Sequence, residues 1–362
     1  MQTVRNRVAD ILGIDLPIVQ APMNYIAGHA LAAAVSAAGG MGVLGPNAGK
    51  VQGEEISMRE RTLREFARIR EVTDKPVGIN VVVPDGENKA ALMYARSTVE
   101  AAAEGGATAA FCVGGLQPTI FELIKEKGMK LIVRPLTPTV KNAREAQAMG
   151  ADIFVATGYD AGGFLPSHHT GTFSIVPTIV DAVTIPVLAA GGINDLRGVR
   201  AAFALGAEGV YVGTRFIATN ECAANDHAKE LICKLSGSNL LYVDETQRSL
   251  PTEFAAEAYV KHRLAPTVPT TVDLVGALRT GMYDGEPDKG IVTVNTGIDV
   301  IRSVVPAAQV VSELMADFLR YARLFGRLKL RPRGNAEGLM SAANSNSPQM
   351  FQGLCGFFVK LR

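Results

Sequence analysis

Pro186-Val-Leu-Ala-Ala-Gly-Gly192 and, shortly after it, Gly209-Val-Tyr-Val-Gly-Thr-Arg215 are the two stretches whose reading decides the fold. Each is a short apolar run of the kind that forms a buried strand, broken by glycine where the next element begins. Glycine lets the backbone approach a ligand closely and tolerates positive φ. Two such turns side by side, each followed by a helix, present backbone N–H groups and helix N-termini to a phosphate. In a closed parallel barrel the loops after the last two strands are where a phosphate commonly sits. Tight helix–strand packing is the alternative reason for either glycine turn taken alone.

Working outward, eight strand-like runs alternate with helix-like segments. The runs are Ile18–Ala21, Gly42–Leu44, Val77–Val83, Ala109–Val113, Leu131–Arg134, Ile153–Ala156, Val187–Ala190 and Val210–Val212. Between them, Met58–Val72, Lys89–Glu104 and Thr139–Met149 carry helix formers with apolar residues at helical spacing. This alternation predicts an α/β fold, a (β/α)8 barrel, in preference to an open sheet. A recurring phrase supports the count: Glu104-Gly-Gly-Ala107, Met149-Gly-Ala151 and Leu205-Gly-Ala207 each read as a helix C-cap glycine handing the chain to a strand.

Past Thr214 the regularity stops. Residues 223–299 hold helical pieces, prolines and turns, such as Leu264-Ala-Pro-Thr-Val-Pro269, and read as an excursion placed to cover the barrel mouth. Val310–Leu328 reads as a last amphipathic helix, and 331–362 as a mobile tail. The chain has 362 residues, enough for a large core, with 36 Lys plus Arg against 35 Asp plus Glu. That balance gives no electrostatic case for nucleic acid or a membrane surface. Neither a signal-peptide stretch nor a membrane-spanning run is expected. The four cysteines form no CxxC pair, so neither a metal site nor a disulfide framework is implied, and a cytoplasmic setting is the default.

Five motifs stand in register with five predicted strand ends. Leu16-Pro-Ile-Val-Gln-Ala-Pro-Met23 closes the first, Gly78-Ile-Asn80 lies in the third, and Gly158-Tyr-Asp-Ala-Gly-Gly163 follows the sixth. Ala189-Ala-Gly-Gly-Ile193 and Val212-Gly-Thr-Arg-Phe216 follow the seventh and eighth. In this order they resemble the nitronate monooxygenase (2-nitropropane dioxygenase) family, which includes the flavin-dependent enoyl-acyl-carrier-protein reductase II enzymes. The resemblance runs from about Ile11 to Phe216, with a weaker echo to Leu328. It implies a TIM (β/α)8 barrel with a small inserted lid domain after strand 8 and a non-covalent FMN. The barrel would span 1–222 and 300–330, and the lid 223–299. Carried over residue by residue, Ala21, Pro22 and Met23 line the flavin ring and Asn80 hydrogen-bonds it. Gly162 sits by the cofactor, and Gly191, Gly192, Gly213 and Thr214 hold its phosphate. Without the resemblance, Asn80 reads as a turn or cap residue, Pro22 and Met23 as turn and core, and Thr214 as a helix N-cap.

The departures from the family pattern matter as much. Where relatives carry the catalytic histidine after Ala-Gly-Gly, this chain has Phe164. His168 and His169 follow on a glycine-bounded loop and are the acid/base candidates; ordinary polar loop residues are the alternative. Thr157 stands where many relatives have a flavin-touching glutamine. Arg134 stands where relatives often have lysine, and there it could stabilise negative charge on a reduced flavin or make a surface salt bridge. His29 is expected to face the barrel mouth or solvent, His227 and His262 the surface, and Tyr25 either substrate or core.

The function implied by the resemblance is an FMN-dependent oxidoreductase that oxidises alkyl nitronates with O2 to a carbonyl compound and nitrite. One alternative is an NAD(P)H-dependent enoyl-thioester or quinone reductase on the same scaffold. Another is a barrel lyase or isomerase holding a phosphorylated substrate in the same glycine turns. The expected partner is a small-molecule substrate, and the family leads one to expect a homodimer.

Overall fold

In the computed structural model, which describes residues 6–51, 53–264 and 274–318, the eight apolar runs pair in parallel around a barrel. The strands are β1 (Ile18–Gln20), β2 (Gly42–Leu44), β3 (Val77–Val83), β4 (Ala109–Gly114), β5 (Lys130–Arg134), β6 (Ile153–Thr157), β7 (Val187–Ala190) and β8 (Gly209–Val212). The ladder runs β2 to β8 in chain order, and β8 pairs with β1. A single bridge, Val19 to Met41, closes the ring, with Met41 N–H donating to Ile18 O and Gln20 N–H to Met41 O, both at 2.9 Å. The seam is completed by a side chain: buried Gln20 accepts from Val43 N–H through Oε1 at 3.0 Å, in place of a strand carbonyl. These strands read as unbroken apolar runs because both faces are buried, one against the barrel interior and one against helices.

Helices α1 (Arg7–Leu12), α2 (His29–Ala37), α3 (Met58–Arg70), α4 (Lys89–Glu104), α5 (Pro118–Glu126), α6 (Val140–Ala148), α7 (Thr172–Val180) and α8 (Leu196–Ala204) precede or alternate with the strands. Side-chain caps mark many of their starts. Ser57 and Glu60 form a capping box on α3, and Thr139 and Asn142 form another on α6, each stabilising by about 1 kcal/mol. At their ends Gly106, Gly150 and Gly206 adopt left-handed φ of 84°, 86° and 93°, as the three Gly-Ala phrases require.

After β8 come a single turn, α9 (Thr214–Ile217), then α10 (Asp226–Lys234), the hairpin β9 (Leu241–Tyr242) and β10 (Arg248–Ser249), α11 (Glu253–Leu264) and α12 (Leu274–Met282). Val243, Ala255, Ala258, Ala277 and Ile291 form a small apolar cluster among these elements. A buried extended stretch, Ile291–Asn295, then leads back to α13 (Ala307–Leu314). Arg5–Ala316 make one compact unit. The expected helix Val310–Leu328 therefore begins earlier than its sequence suggested, and its second half, with the tail at 331–362, lies outside the described residues. Among the described residues no helix is long and apolar enough to cross a membrane.

Candidate active site

Strand parity decides which side chains enter the barrel. Val19, Ala21, Phe111, Ile132, Val155 and Tyr211 belong to the interior cluster. Asn80 is in register with Phe111, Arg134 lies two residues beyond Ile132, and Thr157 two beyond Val155. All three therefore point inward at the C-terminal end of the barrel, the end that carries catalysis in this architecture. Ala21 closes β1, donating its N–H to Val212 O at 2.8 Å, and half-buried Pro22 and Met23 follow it at the same rim.

Two of these inward groups lack the partners that burial demands. Thr157 Oγ1 is buried and has no hydrogen-bond partner. Arg134 is half-buried and makes no ion pair or side-chain hydrogen bond with any described residue, so the surface salt bridge considered for it is absent. Burial pulls its pKa below the usual arginine range, opposed by the phenol of nearby Tyr211. Tyr211 is itself pushed up by burial, and its ring packs 6.1 Å from that of Phe111. A guanidinium sheltered from water without a carboxylate is costly, and an anion beside it would offset that cost. Asn80, only 5% exposed, donates through Nδ2 to Phe111 O at 3.1 Å.

The two glycine turns meet at the neighbouring strand ends. Gly191 and Gly192 take left-handed φ of 109° and 70°. A Cβ on Gly191 would come within 2.7 Å of Thr172 Oγ1, so both conformation and close packing require glycine there. Gly213 is different: its φ is −105°, and a Cβ would meet nothing nearer than Ala21 Cβ at 3.7 Å, leaving an open space at the mouth. The backbone N–H groups of Gly191, Gly192, Gly213 and Thr214 donate to no described residue. Four free donors converging on one rim make an anion cradle. The helix termini contribute less than the sequence suggested. Asp195 already caps α8, accepting from Arg197 N–H at 2.9 Å and Gly198 N–H at 3.3 Å, and α9 is one turn long.

Residues that sequence reading did not single out hold this cradle in place. Thr172 Oγ1 donates to Gly191 O at 3.0 Å, and Asp160 Oδ2 accepts from Thr172 N–H at 2.6 Å. The returning stretch Ile291–Asn295 lies across the turns: Asn295 N–H donates to Thr214 Oγ1 at 3.0 Å, and Asn295 and Asn194 bond each other through their side-chain amides. Gly162 packs against the backbone of Val294, where a Cβ would come within 2.6 Å. Arg248, 1% exposed, sits between the rings of Tyr159 and Tyr242 at 5.0 and 5.5 Å and donates to Tyr159 O and Ala161 O. It ties the hairpin to the loop after β6. Asn and Arg in a non-periodic segment were the only sequence signals for these contacts.

His168 and His169 lie on the loop between β6 and α7, and His29 opens α2. The side chains of His168 and His169 are both exposed, and the ring of His169 packs against Tyr159 at a tilt of 32°, centroids 4.3 Å apart. Phe164 is 47% exposed. His29 is partly exposed to solvent, and its Nδ1 lies 3.0 Å from the buried carboxylate of Glu65, which also accepts the His29 backbone N–H. Tyr25 is core, buried against Tyr283 and beneath Arg279.

Comparison with known proteins agrees with this geometry. The family model described as nitronate monooxygenase matches residues 5–317. A protein of Rhodococcus jostii named (3aS,4S,5R,7aS)-5-hydroxy-7a-methyl-1-oxo-octahydro-1H-indene-4-carboxyl-CoA dehydrogenase is 34% identical over 235 residues, 63% of this chain and 60% of that one. The chain thus spans about 60% of the length of that relative. A probable nitronate monooxygenase of Staphylococcus saprophyticus is 29% identical over 315 residues, covering 75% of this chain and 86% of its own. The solved structure of FabK from Thermotoga maritima superposes with a TM-score of 0.75 at 30% identity, covering 90% of this chain and 99% of FabK. The barrel, its glycine turns and the match along most of its length place the chain in the nitronate monooxygenase family of oxidoreductases.

Proposed function

We propose that the protein binds FMN without a covalent link and oxidises alkyl nitronates with O2 to a carbonyl compound and nitrite. The observation that carries this reading is the set of unpartnered groups on one rim: the four free N–H donors of Gly191, Gly192, Gly213 and Thr214, buried Thr157 Oγ1, and the Arg134 guanidinium. Family membership implies a flavin, and these groups fit one: donors for a phosphate at one side, a cation for a negatively charged ring at the other. When bound, the flavin supplies electron transfer between substrate and oxygen.

The chain's own residues do the rest. Gly191, Gly192, Gly213 and Thr214 hold the phosphate, and Asn194 and Asn295 keep those turns from moving. Ala21, Pro22, Met23 and Asn80 bound the ring, with Asn80 fixed by Phe111 O. Arg134 stabilises negative charge at the mouth and draws an anionic substrate inward. A nitronate arrives already deprotonated, so it needs no base; the exposed positions of His168 and His169, and Phe164 in place of the family histidine, support the use of such a substrate. Residues 223–299 act as the lid, bound to the loops after β1, β6, β7 and β8 through Tyr283, Arg248 and Asn295.

A second reading is an NAD(P)H-dependent enoyl-thioester reductase. It is favoured by the likeness to FabK across nearly the whole of that chain, and by the relative named as an indene-carboxyl-CoA dehydrogenase. Mixing the purified protein anaerobically with excess NADH, then NADPH, separates the two. A yellow protein that stays oxidised supports nitronate oxidation, to be followed with alkyl nitronates. One that bleaches supports the reductase, and a colourless protein that takes up no FMN overturns both.

A further inference from the structure

The hairpin of β9 and β10 contributes no residue to the phosphate cradle, yet one of its side chains reaches the contacts that shape it. Arg248, 1% exposed, donates through Nη2 to Tyr159 O and, at 3.1 Å, to Ala161 O. These two carbonyls bracket Asp160, so a single nitrogen fixes the peptide groups on both sides of that residue. The rings of Tyr159 and Tyr242 hold the guanidinium in place, 5.0 and 5.5 Å from its Cζ. Planar, stacked placement of this kind is what arginine supplies and lysine does not. Arg248 and Asp160 also attract each other, so the cation offsets a carboxylate that stands beside an anion site.

Asp160 carries the position forward. Its carboxylate accepts Thr172 N–H at 2.6 Å, and its carbonyl accepts Thr296 N–H at 3.1 Å. Thr172 Oγ1 then donates to Gly191 O at 3.0 Å. A Cβ on Gly192 would lie 3.3 Å from Asp160 Cβ, so Asp160 abuts the second cradle glycine as well. Thr172 itself has little freedom: a Cβ added at Gly158 or Gly191 would come within 2.3 or 2.7 Å of its Oγ1. Close packing and unbroken hydrogen bonding therefore run from the hairpin to Gly191 and Gly192. A contiguous array of that kind can carry energetic coupling between its ends.

We propose that Arg248 is a positioning residue for the phosphate cradle. By fixing the peptide groups around Asp160 it sets, through Thr172, the place of Gly191, and so couples the seating of the hairpin to retention of a phosphate-bearing cofactor. The proposal rests on the reading of these turns as a flavin phosphate site. Because coupling is reciprocal, phosphate in the cradle must also steady the hairpin.

Flavin titrations separate this role from a general one in folding. The flavin-free protein is titrated with FMN and with riboflavin, which lacks the phosphate, and flavin fluorescence is followed. Arg248→Met should weaken FMN about tenfold and leave riboflavin within about twofold. Arg248→Lys should recover part of the loss. Thr172→Val, which removes the hydroxyl that reaches Gly191 O, should show the same phosphate-selective loss. The double variant should lose little more than either single one, because both cut one path. Hydrogen exchange of the wild-type protein gives a second measurement: FMN should slow exchange across residues 241–249 more than riboflavin does. That comparison decides the matter if Arg248→Met does not fold by circular dichroism. Equal losses for both flavins, losses that multiply in the double variant, or hairpin exchange that FMN slows no more than riboflavin would each overturn the proposal. Wild-type protein that takes up no FMN overturns the flavin reading and this proposal with it; FMN held equally well without Arg248 overturns this proposal alone.

Discussion

Asn194 and Asn295 exchange two side-chain hydrogen bonds, each 2.8 Å long, across 101 residues of chain. Asn194 Nδ2 also donates to Gly297 O at 2.7 Å, and both residues are about 95% buried. Removing either amide leaves its partner unsatisfied, at a cost of about 1–3 kcal/mol. Asn194→Ala and Asn295→Ala should each lower the melting temperature by a few degrees and weaken FMN retention. The double variant should lose less than the sum, because the two sites share one interaction. Thermal unfolding and flavin fluorescence of the three variants check this; strict additivity would count against the latch.

Gly213→Ala separates fold from cradle. Its φ of −105° suits alanine, and the added Cβ touches the protein only at 3.7 Å. Stability should stay within about 0.5 kcal/mol of wild type. FMN affinity should fall at least tenfold while riboflavin, which lacks the phosphate, binds unchanged. Equal losses for both flavins would move the phosphate away from Gly213.

Arg134→Met removes an unpaired, half-buried cation. Stability should hold or rise, since a buried charge without a partner is replaced by apolar volume. The flavin reduction potential should fall by roughly 30 mV or more, since about 1.4 kcal/mol of lost charge stabilisation corresponds to 30 mV for a two-electron couple. Spectroelectrochemical titration reads the shift, and an unchanged potential would place Arg134 away from the ring.

The pair His168→Ala, His169→Ala addresses proton transfer. Both side chains are exposed, so folding should be unaffected beyond the loss of the tilted His169–Tyr159 ring contact at 4.3 Å. Rates with preformed alkyl nitronate should stay within about twofold of wild type. Activity on neutral nitroalkane, the substrate that needs a base, should be absent from wild type and variant alike; wild-type turnover of nitroalkane that the variant loses would put these histidines at the substrate and overturn the preference for nitronates.

Stability should fall in alkali. Burial, reinforced by neighbouring Tyr242, pushes the Tyr159 phenol up to about 12, against about 10 in an unfolded chain. The folded state holds that proton more tightly, so its stabilising contribution is complete below pH about 10 and lost as pH rises towards 12. Tyr211, raised by burial, acts in the same direction. Urea unfolding at pH 8 to 11 should show the decline, and it should be shallower in Tyr159→Phe.

The barrel was legible because its signals are local. Strands buried on both faces read as apolar runs, and a left-handed glycine such as Gly150 punctuates several of the handovers whatever the distant chain does. The cradle glycines were legible for the same reason. Arg134 was ambiguous until strand parity was fixed, because a charged residue at a strand end looks the same whether it faces the mouth or solvent. The loop histidines were ambiguous because nothing in Ser167-His-His-Thr170 tells which way the loop turns. Asn194, Asn295 and Arg248 were invisible as site-holding residues, since each acquires meaning only from a partner some ninety to a hundred positions away.

The long reach between Asn194 and Asn295 also sets an order of events during synthesis. At about 5–20 residues per second, a ribosome completes all eight strands and then works for on the order of 5–20 s before the segment that locks the cradle has been made. Through that interval the barrel can close while its phosphate turns stay unlatched. Durable capture of a phosphate in those turns would accordingly be a late step, completed by the segment around Asn295 rather than by the strands that bear the glycines.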